Sequence, residues 1–246
     1  MPSAVALIPA RGGSERIPGK NVRDLAGHPL IAYSIATAQQ VEQFDHVIVS
    51  TDSEEIAAVA TAYGAEVPTL RPAKMASSTS PDIDWVRHEL AALESRGLVF
   101  DLFSILRPTS PFRGPDTVSR GFQQLLELGD GADSLRAVRL CREHPGKMWV
   151  VDGELMRPLL PQPDGVPMHS RQYKSLPAVY VQSSSLEIAW TRVATDRGSI
   201  AGERVVPFFA DELENFSIDY EEEWRYAKDR AAREPDSLPS VPASVG

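Results

Sequence analysis

Short apolar runs that alternate with segments of helical period constrain this chain more than any other feature. Ala4–Ile8 is such a run, stopped by Pro9, and His46–Thr51 and Leu102–Leu106 follow the same form. A strand that is apolar on both faces must be covered on both faces. Between the runs, Leu30, Ile31, Tyr33, Ile35 and Ala38 recur at helical spacing from Pro29 to about Val41, and proline suits a first helical position. Asp52, with Glu55 three residues on, reads as a capping-box start for a helix that runs to Tyr63 and stops at Gly64. Asp82–Ser95 and Pro115–Leu128 read as further helices and Ser134–Val138 as a further strand. The alternation predicts an α/β fold: a three-layer, Rossmann-like, mostly parallel sheet with helices on both sides.

The texture changes near residue 141. Residues 141–177 are rich in proline and glycine and show little periodicity, so they read as an insertion between two parts of one α/β body, 1–140 and 178–233. Tyr180–Trp190 and Val205–Phe209 are expected to return as strands, and Ile218–Arg230 as the last helix. Residues 234–246 hold few large apolar side chains and are expected to be a flexible tail.

Charge and cysteine content narrow the partners. The 246 residues carry 25 Lys and Arg against 34 Asp and Glu, a net charge of −9, which argues against a nucleic-acid partner. No apolar run approaches the ~18–20 residues of a membrane span, and the N-terminus lacks the basic start of a signal peptide. The single cysteine, Cys141, leaves no internal disulfide and fits a reducing, cytoplasmic setting.

Against this acidic background, residues 10–23 are basic. Arg11, Arg16, Lys20 and Arg23 are interleaved with Gly12, Gly13 and Gly19 directly after the first strand. The carboxyl ends of strands are where open α/β sheets bind ligands, and glycines let backbone N–H groups approach an anion. The segment matches neither G-x-x-x-x-G-K-[ST] nor G-x-G-x-x-G, so a phosphate-rich ligand is expected through neither common motif.

Several blocks together resemble the acylneuraminate cytidylyltransferases, the CMP–sialic acid synthetases and their relatives. They are Pro9–Ser14, Ile17–Asn21, Ile48–Asp52, Leu70–Ala73 with Ala76 and Ser77, Leu106–Arg113, and Ser217–Asp219. The resemblance implies a sheet of the nucleotide-diphospho-sugar transferase type. It also implies a reaction in which the anomeric hydroxyl of a 3-deoxy-2-ulosonic acid attacks the α-phosphate of CTP, releasing pyrophosphate. By resemblance, Arg11 and Lys20 bind the triphosphate and stabilise the leaving pyrophosphate. Ala10, Gly12, Gly13, Asn21, Arg71, Ser77, Ser80 and Asp82 complete the nucleotide site. Asp82 also reads as a helix cap.

A divalent cation, Mg²⁺, belongs to such a reaction. The family places Asp-x-Asp after Ser-Ile, and this chain has Asp219 and, as a departure, Glu221. Residues two apart on an extended stretch share a face, so both are candidate ligands, with the acidic first turn of the last helix as the other reading of Glu221. On the sugar side the match thins. Arg107 stands where the family has a glutamine, Lys147 falls at the family's lysine after His-Pro, and Gln182 falls where an Arg-Pro-Asn-Gly is missing. A guanidinium is a good partner for a carboxylate, so Arg107 is a candidate for the sugar acid. The family's small projecting subdomain forms a homodimer, and residues 141–177 are its counterpart. Two other functions fit the loop: a sugar-1-phosphate nucleotidyltransferase, and a nucleotide-sugar-binding homologue without catalysis.

Overall fold

The computed structural model describes residues 2–242. They form two compact units, one of residues up to Ala137 and from Ser183, the other Val138–Gln182. The boundary falls a few residues either side of the expected insertion at 141–177.

The larger unit is built on a six-stranded sheet. In chain order its elements are β1 (Ala4–Pro9), a two-residue ribbon β2 (Asp24–Leu25) and β3 (His28–Pro29), α1 (Leu30–Gln39), β4 (His46–Ser50), α2 (Glu54–Ala62), α3 (Asp82–Glu94), β5 (Leu102–Ile105), α4 (Pro115–Leu128) and β6 (Ser134–Leu140). In the smaller unit lie β7 (Trp149–Asp152) and β8 (Leu155–Pro158); then come β9 (Tyr180–Trp190), α5 (Thr191–Arg197), β10 (Val205–Phe209) and α6 (Glu221–Arg233). The sheet runs β10-β6-β9-β5-β1-β4. β1 is parallel to β4, with Val5 opposite His46, and parallel to β5, with Ala4 opposite Leu102. β9 is antiparallel to β5.

The alternation of β1 explains the layers. Ala4, Ala6 and Ile8 point into a core shared with Ile31 and Ile35 of α1 and Val118 and Phe122 of α4. Val5 and Leu7 point the other way, into a core with Trp85, Val86 and Leu90 of α3 and Ala194 of α5. A third cluster joins Ile17 of the basic loop to Leu30, Tyr33, Phe112, Ile218 and Trp224. Ile17 is fully buried, and a buried isoleucine contributes roughly 1.5–3 kcal/mol, so this side chain pins the loop between its charged residues.

Three local expectations change. Ser53, not Asp52, caps α2, accepting the Ile56 N–H, and Asp52 turns to the loop instead. The last helix starts at Glu221 rather than Ile218, because the Ile218 N–H donates to the Thr109 carbonyl and fixes the chain in extended form there. In the tail, Pro235–Ser237 forms a 3-10 turn, and Leu238 and Val241 pack on the third cluster. Residues 243–246 of the expected flexible tail lie outside the described residues.

The smaller unit holds the antiparallel hairpin β7–β8, with Trp149 opposite Pro158 and Asp152 opposite Leu155. Three 3-10 turns, at Pro145–Lys147, Met168–Ser170 and Tyr173–Ser175, account for its lack of sequence period.

Candidate active site

Parallel β1, β4 and β5 end on one edge of the sheet, where the segments after β1 and β5 and the stretch leading into α3 wall a cavity of about 370 Å³. Arg11, Ser14, Lys20 and Asn21 come from the loop after β1. Arg71, Met75, Ser77 and Ser80 come from the stretch before α3, Asp82 and Trp85 from α3 itself, and Arg107 and Thr109 from the turn after β5.

The loop is held from several sides. The Ala10 N–H donates to the Ser50 carbonyl at 2.9 Å, carrying the β1–β4 pairing one residue further. The Gly12 N–H donates to the Asp52 carboxylate at 2.8 Å, and a Cβ on Gly12 would meet Ser53 Cβ at 3.2 Å. Gly19 has φ +64°, a conformation that favours glycine, and its carbonyl accepts from Arg23. The Asn21 amide donates to the Arg11 carbonyl at 3.1 Å. Gly13 has open space around it. Lys20 Nζ donates to the Ile218 carbonyl at 2.9 Å. Burial lowers the Lys20 pKa and outweighs the opposing pull of Asp219, with Arg16 and Arg11 adding to the lowering. A dianionic phosphate would relieve those crowded cations, which is what an anion site requires.

Arg71 is a second, deeper cation. Its Nε donates to Ser50 Oγ at 3.0 Å, one Nη donates to the Ser50 carbonyl at 2.9 Å, and the guanidinium sits 4.8 Å from the Trp85 ring centroid. Burial lowers its pKa to about 10, which leaves it charged at neutral pH. Ser77 and Ser80 hydroxyls lie 2.7 Å apart, and Ser80 Oγ donates to the Lys74 carbonyl.

Arg107 does not stand free. Its Nη2 donates to Asp82 Oδ2 at 2.6 Å and to Glu187 Oε1 at 2.9 Å, and Glu187 also pairs with Arg136. Two arginines thus face two carboxylates, and Arg107's charge is already met within the fold. Burial opposes the charged form of Asp82, but the Arg107 charge and hydrogen bond, with the Trp85 indole, hold its carboxyl below the usual range. Asp82 is the first residue of α3, and its side chain takes these partners rather than capping the backbone.

Asp219 and Glu221, expected to face one ion, engage different arginines. Asp219 Oδ1 lies 3.7 Å from Arg16, and its Oδ2 accepts from the Ser217 hydroxyl at 3.0 Å. Glu221 Oε1 accepts from Arg23 Nη1 at 2.6 Å, and that hydrogen bond lowers the Glu221 pKa. Among the described residues no three His, Cys, Asp or Glu side chains gather as a metal cluster. Mg²⁺ asks for less: one or two carboxylate oxygens plus phosphates and water. Half-exposed Asp219, loosely held on one oxygen and beside the residue that contacts Lys20, meets that demand.

Lys147 and Gln182 belong to the smaller unit. There Lys147 Nζ donates to the carbonyls of His169 and Arg171 and lies 5.1 Å from the Tyr173 ring centroid. The sequence reading missed Asp52, Trp85, Thr109 and Glu187. Trp85 carried a signal, three residues after Asp82 on one helix face; Glu187 lay between Leu186 and Ile188 in an expected strand and carried none.

A glycine loop with paired cations at the carboxyl edge of a covered parallel sheet defines a nucleotide-binding α/β protein. A family model described as "Cytidylyltransferase" matches residues 5–128. The CMP-N,N'-diacetyllegionaminic acid synthase of Legionella pneumophila is 35% identical over 225 residues, 89% of this chain and 92% of that protein. The pseudaminic acid cytidylyltransferase of Campylobacter jejuni is 36% identical over 123 residues, 50% of this chain and 53% of that protein. A CMP:2-keto-3-deoxy-manno-octonic acid synthetase solved with CTP superposes with a TM-score of 0.68, covering 94% of this chain and 99% of that one, and at 17% identity it bears on the fold alone. The chain belongs to the cytidylyltransferase family.

Proposed function

We propose that this protein transfers the cytidylyl group of CTP to a sialic-acid-like 3-deoxy-2-ulosonic acid, giving a CMP-sugar and pyrophosphate. The observation that carries the reading is the meeting, in one cavity, of Arg11, Lys20, Asn21, Arg71, Ser77, Ser80 and Asp82. The chemistry needs in-line positioning and charge neutralisation more than covalent help. Arg11 and Lys20 neutralise the triphosphate, and Lys20, steered by the Ile218 carbonyl, follows the charge that grows on the leaving pyrophosphate. Arg71, Ser77, Ser80 and Asp82 hold the nucleoside end. Mg²⁺, held by Asp219, would supply Lewis-acid polarisation of the α-phosphate.

Acceptor recognition follows from what is already paired. Arg107 is compensated by Asp82 and Glu187, so its part is to shape the acceptor side rather than to offer a free cation to the sugar carboxylate. Lys147 and Gln182 remain sugar-side candidates. The legionaminic and pseudaminic acids in the names of the relatives set the panel of acceptors. We also place the enzyme in the cytoplasm, where Cys141 stays reduced, and assign it a homodimer built through the smaller unit.

The test is pyrophosphate release from CTP and Mg²⁺ with legionaminic, pseudaminic, neuraminic and 3-deoxy-octulosonic acids. Release with at least one acceptor, and CTP preferred over UTP and GTP, is expected. A folded protein that releases none, or prefers UTP, sinks the reading.

A further inference from the structure

Three contacts tie the phosphate loop to the segment entering α6. Lys20 Nζ reaches the Ile218 carbonyl at 2.9 Å. Arg16 lies 3.7 Å from Asp219, with its guanidinium 4.8 Å from the Tyr220 ring centroid. Arg23 meets Glu221 at 2.6 Å, with its guanidinium 4.4 Å from the Trp224 ring centroid. The two acidic residues are therefore unequal. The Asp219 pair is longer than a hydrogen bond and exposed, so it exchanges easily. The Glu221 pair is a short, charge-assisted hydrogen bond, and its arginine rests on an indole that is itself buried in the third cluster. A Mg²⁺ ligand must come to about 2.0–2.1 Å in near-ideal octahedral geometry. While the pair holds Oε1, Glu221 could reach a cation only through Oε2, and using both oxygens would mean giving up Arg23.

We propose that Glu221 is a positioning residue: with Arg23 and Trp224 it latches the phosphate loop onto α6 and leaves the divalent cation to Asp219. This rests on the cytidylyl-transfer reading for Asp219 only. Asp219 would hold the cation in place of its loose contact with Arg16, which would leave Arg16 available to the phosphates. The Arg23–Glu221 pair stays closed throughout.

Two measurements on the full chain separate a latch from a ligand. The first is amide hydrogen exchange of residues 17–23 in the free protein. The second is Mn²⁺ affinity in the presence of CTP, read from the free-ion paramagnetic signal. In Glu221→Gln the loop amides should exchange about two- to fivefold faster, as loss of a half-exposed ion pair implies, while Mn²⁺ affinity changes less than about threefold. The charge swap Arg23→Glu with Glu221→Arg should restore exchange protection. Asp219→Asn should weaken Mn²⁺ binding at least about tenfold and leave the loop protected, as removal of a ligand but not a tether requires. Glu221→Gln weakening Mn²⁺ as much as Asp219→Asn, or leaving exchange unchanged, would overturn the latch. Absence of CTP turnover in the wild type would overturn the cytidylyl reading alone, since exchange is measured without nucleotide.

Discussion

Glu89 sits on α3 beneath the cavity, fully buried, and its Oε1 accepts from the Ser50 hydroxyl that also receives Arg71 Nε. Burial raises its pKa; the Ser50 hydrogen bond and the charges of His88 and Arg71 only partly offset this. Because the folded value lies above the unfolded one, the stability Glu89 allows is whole below the ordinary glutamate range. It falls as pH rises through the folded value. Glu89→Gln keeps the Ser50 hydrogen bond and removes the ionisation. Thermal melts from pH 5 to 8 should find the variant no less stable than the wild type at pH 8, and the gap should close toward pH 5. A variant that melts lower at pH 8 by more than at pH 5 would mean that the Glu89 charge serves Arg71 more than it burdens the core. Such residues also mark how far the sequence can be read. The loop cations were legible because their chemistry is local. The compensation of Arg107 was not, because Glu187 reaches it from 80 residues away on an antiparallel strand.

At the level of elements, most strands and helices follow their sequence signals, and the departures have tertiary causes. Asp52 and Ser53 are both able to cap α2; the choice falls to Ser53 because Gly12, 40 residues earlier, claims Asp52. The β7–β8 hairpin is hidden by the prolines and glycines around it, and α5 is short enough, at seven residues, to leave no period. Helix α4 is the clearest case of packing overriding propensity. Gly121 lies in its middle, where alanine would ordinarily gain roughly 0.5–1 kcal/mol. A Cβ there would stand 2.6 Å from Leu186 Cδ2 and 3.1 Å from Ile188 Cδ1, both on β9 and both in the dense core. Overpacking costs about 1–3 kcal/mol, so the clash wins. Gly121→Ala should be destabilising by about 1 kcal/mol net. For a chain of this size that lowers the melting temperature by roughly 2–4 °C. A higher melting temperature would show that β9 yields without cost. The same glycine lets α4 lie close on β9 and thereby sets the depth of the strand that carries Glu187.

At the scale of the whole molecule, the proposed homodimer has a specific physical ground. In the hairpin register Val151 faces Met156 and Trp149 faces Pro158, so these four side chains share one face. Val151 and Met156 are 73% and 59% exposed, and Leu155, Leu159 and Leu160 nearby are exposed too. A lone two-stranded hairpin is marginal in water, and a contiguous exposed apolar patch marks an interface. Among cyclic assemblies a two-fold dimer is the commonest, and it sets the same patch against itself. An aspartate placed in such a patch meets apolar surface or its own symmetry copy, and a buried unpaired charge costs several kcal/mol. Sedimentation of the wild type at micromolar concentration should therefore give a dimer, and Val151→Asp with Met156→Asp should weaken association at least about a hundredfold, the equivalent of that penalty. Far-ultraviolet dichroism checks that the double variant is folded. The two aspartates lie outside the unit that holds the nucleotide cavity. CTP binding by the resulting monomer should then stay within about threefold of the wild type, as expected where the substitutions and the nucleotide share no partner residues. A monomeric wild type, or a double variant that still sediments as a dimer, would remove this hairpin from the assembly.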